Sequence, residues 1–142
     1  YAEFDGSPMR RKLPWTDDRH DWFYSDSYRT VANIGLDYEW FGKDEGQCHA
    51  AQAIQEFLLE DGRRNTYHVY ELDGSIAERQ ALHPVAIPAT VAMSVLASFT
   101  SYSKEWVDLF WKLPMRTGDR RYYDNCLYFF AFLALSGNYK IY

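Results

Sequence analysis

A chain of 142 residues that is 47% hydrophobic and 25% charged carries enough apolar surface for one globular domain, which excludes a disordered segment. Its 15 basic and 20 acidic residues leave a net charge of -5, opposite to the basic excess a phosphate-binding surface needs, so no nucleic-acid partner is expected. Aromatic residues make up 18% of the chain, enough to fill a core and also to wall a cleft that stacks on the faces of a ligand.

Residues 1–25 read as loop. Gly6, Pro8 and Pro14 interrupt any period, and Asp17, Asp18, Asp21 and Ser25 favour turns and caps. Helical spacing then dominates and points to an all-α protein. Val31, Ile34, Tyr38 and Phe41 form one stripe of a first helix that Gly42 can end. Residues 45–59 predict a second helix, with Cys48, Ala51, Ile54 and Leu58 on one face and Gly62 beyond its end; the short link makes the pair an αα-hairpin. Residues 66–72, rich in Tyr and Val and closed by Asp73-Gly74, predict an extended segment, one arm of a small hairpin. Pro84 and Pro88 fence a loop before a third helix over 89–100. The fourth, over 104–113, takes Ser103 as its N-cap and Pro114 as its stop. The fifth, over 122–135, is apolar almost all round and predicts burial on most sides, with Gly137 at its end. The helices alternate between amphipathic and nearly all-apolar, as concentric layers require, but five helices also make a simple bundle, which the spacing alone favours. No repeat or linker divides residues 1–142 into two domains.

Cys48 and Cys126 sit in apolar helical patterns and predict buried free thiols. Neither belongs to a CxxC, and no His/Cys set has zinc spacing, so no metal or cofactor is expected. The apolar run 127–135 is far shorter than the roughly 20 residues that span a bilayer, so no membrane partner is expected. No signal peptide pattern opens the chain, and a start on Tyr1 is what a cut chain would show.

The densest polar and aromatic stretch runs from His20 to Arg29. Asp26 and Arg29 stand three apart at the start of the first helix, where a carboxylate can accept from the free N–H groups while the guanidinium returns over the same turn. The helix dipole and the arginine both favour its charged form, and an ionised carboxylate beside an aromatic wall can serve as a general base for water. The plain alternative is an N-cap with a surface arginine. Trp22 and Tyr28 in the same stretch are candidate substrate contacts, with Trp22 preferred as a platform over Trp15, Trp40, Trp106 and Trp111. His83 lies before Pro84, which pushes it out of helical geometry and stiffens a loop that can offer the imidazole to a ligand hydroxyl. Its alternative is a histidine that only bonds loop backbone. His20, His49 and His68 read as structural or solvated, and Arg10-Arg11-Lys12 and Arg120-Arg121 as surface. No Ser/His/Asp set, phosphate loop or dinucleotide fingerprint occurs.

The string from Ser25 through Asp26, Arg29 and Asp37 to Phe41 resembles the helix that carries the catalytic base in glycoside hydrolase family 8. Within that family it is similar to the subgroup that releases xylose from reducing ends. Arg121-Tyr122-Tyr123-Asp124-Asn125 and Ser136-Gly137-Asn138-Tyr139-Lys140-Ile141-Tyr142 resemble the C-terminal end of the same subgroup. The resemblance implies an (α/α)6 toroid built of αα-hairpins, of which residues 1–142 would be the C-terminal portion. It also implies inverting hydrolysis of a β-1,4 bond in xylooligosaccharides, in which a carboxylic acid and a carboxylate stand roughly 6.5–9.5 Å apart around the scissile bond and a water. Asp26 matches the base and Arg29 would orient it. The family's general acid, a glutamate, and a further substrate-binding aspartate would come from an upstream part absent here, so the chain alone is expected to be inactive. Leu82-His83-Pro84 matches the subgroup's loop that blocks the cleft beyond the +1 sugar, where His83 would read the anomeric hydroxyl. The alternatives left open are an endo-acting xylanase, β-glucanase or chitosanase of the same family, and a non-catalytic helical carbohydrate-binding domain. Free thiols and short substrates point to the cytoplasm.

Overall fold

The computed structural model describes residues 2–9, 19–42 and 44–141. Trp15, Asp17, Asp18 and the Arg10-Arg11-Lys12 cluster lie outside them. The described elements, in chain order, are α1 (Ser27–Phe41), α2 (Glu45–Phe57), α3 (Leu59–Arg64), β1 (His68–Tyr70), β2 (Ile76–Gln80), α4 (Ala86–Ser94), α5 (Ser103–Lys112) and α6 (Arg121–Leu135).

Local chemistry sets most of the boundaries. Gly42 ends α1 at φ +24, its N–H on the Tyr38 carbonyl, and the Asp44 carboxylate opens α2 by accepting from the Gly46 N–H at 2.7 Å. The expected extended segment is one arm of an antiparallel hairpin, with His68 opposite Gln80 and Tyr70 opposite Ile76. Gly74 turns it at φ +85, and the Asp73 carboxylate accepts from the Ser75 N–H at 2.9 Å and the Ser75 hydroxyl at 2.7 Å.

Four boundary and face expectations are corrected. Gly62 does lie beyond the second helix, which ends at Phe57, but it terminates nothing: it sits inside α3, where a Cβ would come 2.7 Å from the Trp106 ring. Pro88 does not fence a loop, because α4 starts at Ala86 and ends at Ser94; a proline in the first turn costs no hydrogen bond, its missing N–H being one that has no helical partner. Ser103 does not cap α5 but begins it, its hydroxyl accepting from the Thr100 N–H at 2.8 Å and donating to Gln55 Oε1 at 3.0 Å. The buried face of α1 is Tyr28, Val31, Ala32, Gly35 and Leu36, while Phe41, expected in its stripe, is exposed.

α4 decides the architecture. All of its residues are buried, and α1, α2, α5 and α6 pack around it. An element covered on every side is an inner layer, so a simple bundle does not describe this protein. One core cluster gathers Tyr28, Leu58, Tyr70, Ile87, Trp106 and Leu127; a second gathers Ala32, Leu36, Met93, Phe110 and Ala131. α6 is less enclosed than its sequence predicts: Leu127, Ala131 and Ala134 face α4, but Phe129, Phe130 and Phe132 are exposed. Cys48 and Cys126 are free and half-buried, not buried. Among the described residues no helix is long and apolar enough to cross a membrane.

Candidate active site

Residues 19–26 are pinned to the hairpin before they enter α1. The Phe23 N–H donates to the Tyr70 carbonyl at 2.8 Å and the Tyr70 N–H to the Phe23 carbonyl at 3.4 Å. Arg19 binds Asp21 through Nε and Nη2 at 3.0 and 2.5 Å, and Glu71 through Nη1 at 2.8 Å. The loop then turns through Ser25 at φ +46, a left-handed conformation that costs a side-chain-bearing residue about 1–2 kcal/mol. The Ser25 carbonyl accepts from the Tyr28 N–H at 3.2 Å and the Tyr123 hydroxyl at 2.8 Å, so α6 helps to hold the strained turn.

Asp26 follows at the head of α1. Its backbone is already helical (φ -66°, ψ -24°) and its side chain makes no cap, which corrects the expectation that the carboxylate accepts from the first-turn N–H groups. It faces Arg29 instead, with Oδ1 2.7 Å from Nη2, and the two side chains are 43% and 55% exposed. The carboxylate is therefore paired on one side and reachable by water.

His83 is 8% exposed and lies just before α4. Its Nδ1 is 3.3 Å from Oδ2 of Asp124, and its ring packs on Tyr123 with centroids 4.4 Å apart. Tyr123 thus joins the two predicted positions: its ring covers His83 and its hydroxyl holds the carbonyl next to Asp26. Burial pushes the Tyr123 phenol up to about 12, so at neutral pH it stays a donor. Asp124, fully enclosed at the first turn of α6, also receives the Val85 and Ala86 N–H groups on Oδ1 at 3.1 and 2.7 Å, and Arg116 Nη1 on Oδ2 at 2.5 Å. Burial would raise this carboxyl, but the hydrogen bonds from His83, Arg116 and Ala86 outweigh it and hold it below the ordinary carboxylate range.

The remaining candidates divide. Trp22 is half-buried, with the Arg19 guanidinium 5.7 Å over its ring and its Nε1 without a hydrogen-bond partner among the described residues. Tyr28 is 0% exposed, packed edge-on against Phe23, and its hydroxyl has no partner among the described residues. Trp106 is core and donates to the Gln55 carbonyl at 2.9 Å; Trp40 donates to the Tyr139 carbonyl at 3.1 Å. His49 is exposed, and His68 stands edge-on to Tyr70. No group of three His, Cys, Asp or Glu among the described residues could hold a metal ion. Sequence reasoning gave Arg116, Tyr123 and Asp124 no chemical role, though Tyr123 and Asp124 stand in the string that carries the resemblance. The available signal was the single acid of a mostly apolar helix, since a buried carboxylate is rare unless paired.

No family model matches the chain. It is 51% identical over 142 residues to the reducing end xylose-releasing exo-oligoxylanase of Halalkalibacterium halodurans, across 99% of this chain and 35% of that protein. It is 48% identical to the reducing-end xylose-releasing exo-oligoxylanase Rex8A of Paenibacillus barcinonensis, across 100% of this chain and 36% of that one. Among solved structures, Rex8A complexed with xylose superposes with a TM-score of 0.90 at 44% identity, over 100% of this chain and 37% of that one. A mutant reducing-end-xylose releasing exo-oligoxylanase superposes with a TM-score of 0.89 at 50% identity, over 99% and 36%. The chain thus spans little more than a third of the length of these relatives. They have an (α/α)6 fold, and the layers around α4 are part of such a toroid. In sequence and in fold, nearly the whole chain is thus similar to about a third of the reducing-end xylose-releasing exo-oligoxylanases of glycoside hydrolase family 8.

Proposed function

We propose that this chain, as the C-terminal portion of one longer catalytic domain, takes part in the inverting hydrolysis of β-1,4-xylosidic bonds in xylooligosaccharides, releasing xylose from the reducing end. The observation that carries the proposal is the pairing of a water-accessible Asp26 with a shielded His83 through one side chain, Tyr123, in a chain 51% identical to a protein of that name. In this reading Asp26 takes the proton of a water that attacks the anomeric carbon, while a carboxylic acid from the upstream part protonates the departing oxygen. Arg29, 2.7 Å from Asp26 Oδ1, keeps the base oriented. The strained turn at Ser25 is a cost that a site can bear when it fixes the base.

His83 reads the anomeric hydroxyl of the +1 xylose, and Leu82-His83-Pro84 closes the cleft behind it. Trp22 serves as a stacking surface for the sugar. Tyr28, enclosed as it is, supports that wall through Phe23. The free thiols favour the cytoplasm.

The test uses the complete gene product with xylotriose labelled at its reducing end. Labelled xylose and unlabelled xylobiose are expected. Label retained in xylobiose, or cleavage of longer chains at internal bonds, refutes reducing-end release and favours an endo-acting relative. No hydrolysis by a folded protein refutes the xylanase reading.

A further inference from the structure

We infer that Asp124 is a positioning residue for His83: it holds the imidazole with the hydrogen on Nδ1, leaves Nε2 as a hydrogen-bond acceptor, and together with Arg116 fixes the Leu82-His83-Pro84 segment. The inference rests on the reading of His83 given above and deepens it.

The geometry leaves little choice of tautomer. Asp124 is 0% exposed, and donors meet both of its oxygens. Oδ1 accepts two backbone N–H groups, from Val85 and Ala86, which are orphan donors at the start of α4. Oδ2 faces a guanidinium and the imidazole. An ionised carboxylate has only lone pairs to offer, so the hydrogen between Oδ2 and Nδ1 must belong to Nδ1. In a neutral imidazole the lone pair then sits on Nε2. Such a nitrogen recognises a hydroxyl that donates, which an anomeric OH can do.

The same carboxylate reaches the loop by a second path. Arg116 Nη1 bridges Asp124 Oδ2 and the Leu82 carbonyl, at 2.5 Å to each. Arg116 is itself clamped to α6: its N–H donates to Asn125 Oδ1 and its carbonyl accepts from Asn125 Nδ2, both at 2.9 Å. Tyr123 covers a face of the imidazole. Three consecutive residues of α6 therefore govern the placement of one histidine in the segment before α4. A group needed only to cap α4 would use Oδ1; the approach of Oδ2 to Nδ1 and to the Arg116 bridge is what a positioning role adds.

The experiment begins with imidazole nitrogen NMR on the complete wild-type protein at mildly alkaline pH, with the His83 signals assigned by their loss in His83→Gln. The expected result is a protonated Nδ1 and an unprotonated Nε2. The opposite tautomer overturns the inference, and this readout needs no folded Asp124 variant. In Asp124→Asn, an amide oxygen kept on Val85 and Ala86 turns an NH2 group toward Nδ1 and reverses the tautomer. The kcat/KM preference for xylotriose over an analogue lacking only the anomeric hydroxyl should then fall by about tenfold or more, with the rate on the analogue little changed. An unchanged tautomer and preference in folded Asp124→Asn overturns the positioning role while leaving His83 as reader. An undiminished preference in His83→Ala overturns the reader itself, whatever the tautomer.

Discussion

Gly35 is where α1 and α4 meet backbone to backbone. A Cβ at this position would lie 2.1 Å from the Met93 carbonyl oxygen and 2.8 Å from its carbon, so Gly35→Ala must drive the helices about 1 Å apart to reach the 3.0 Å that real contacts respect. No flexible side chain can give way, because both obstacles are backbone. A gap of about 0.5–1 Å forfeits a quarter to a half of the dispersion well for each contact across the seam, where Ala32, Leu36, Ala89 and Met93 pack together. Overpacking of this kind typically costs about 1–3 kcal/mol. Exchanging glycine for alanine within a helix returns roughly 1 kcal/mol of propensity, which offsets only part of that cost. Because both obstacles are rigid backbone, the upper part of that range applies, about 2–3 kcal/mol, and a net loss of about 1–2 kcal/mol is expected, read as a lower urea midpoint for the complete gene product at unchanged m-value. Gly46→Ala is the control: its Cβ would meet only the Asp44 carboxylate, Oδ1 at 3.1 Å and Cγ at 3.8 Å, and it should cost less. A Gly35→Ala protein as stable as the parent would refute the close approach of α1 to α4.

Asp26→Asn should lower turnover of xylotriose by about 10²–10⁴-fold with the urea midpoint kept, since it removes a proton acceptor and leaves the packing alone; a rate near that of the parent would rule out Asp26 as base. The Asp124 carboxyl is held below its unfolded value of 3.8, so its contribution to stability is complete above that value and disappears as pH falls through the depressed one. The stability gap between the parent and Asp124→Asn, measured by urea unfolding, should therefore be constant from about pH 7 to 5 and narrow below about pH 4; a gap that persists unchanged to lower pH would show that the carboxylate's charge is not what its partners hold.

The sequence determined those features that neighbouring residues produce together. Gly42 ends a helix, Asp73-Gly74 turns a hairpin and Pro114 stops α5, because backbone freedom and local hydrogen bonding act within a few residues. Asp26 beside Arg29 was legible for the same reason, as one turn of a helix brings them together. Tertiary structure decided what periodicity does not record. The apolar stripe in α1 pointed to Ile34, Tyr38 and Phe41, yet the helix buries Ala32 and Gly35, whose small size admits α4. Gln55 has nothing apolar to announce it, but it is fully buried because Ser94, Thr100 and Ser103 complete its hydrogen bonds from distant segments. Asp124 and His83 are 41 residues apart, and neither implies the other in the sequence. A buried polar group survives only where separated segments bring it donors and acceptors, and that meeting exists only once the helices have packed.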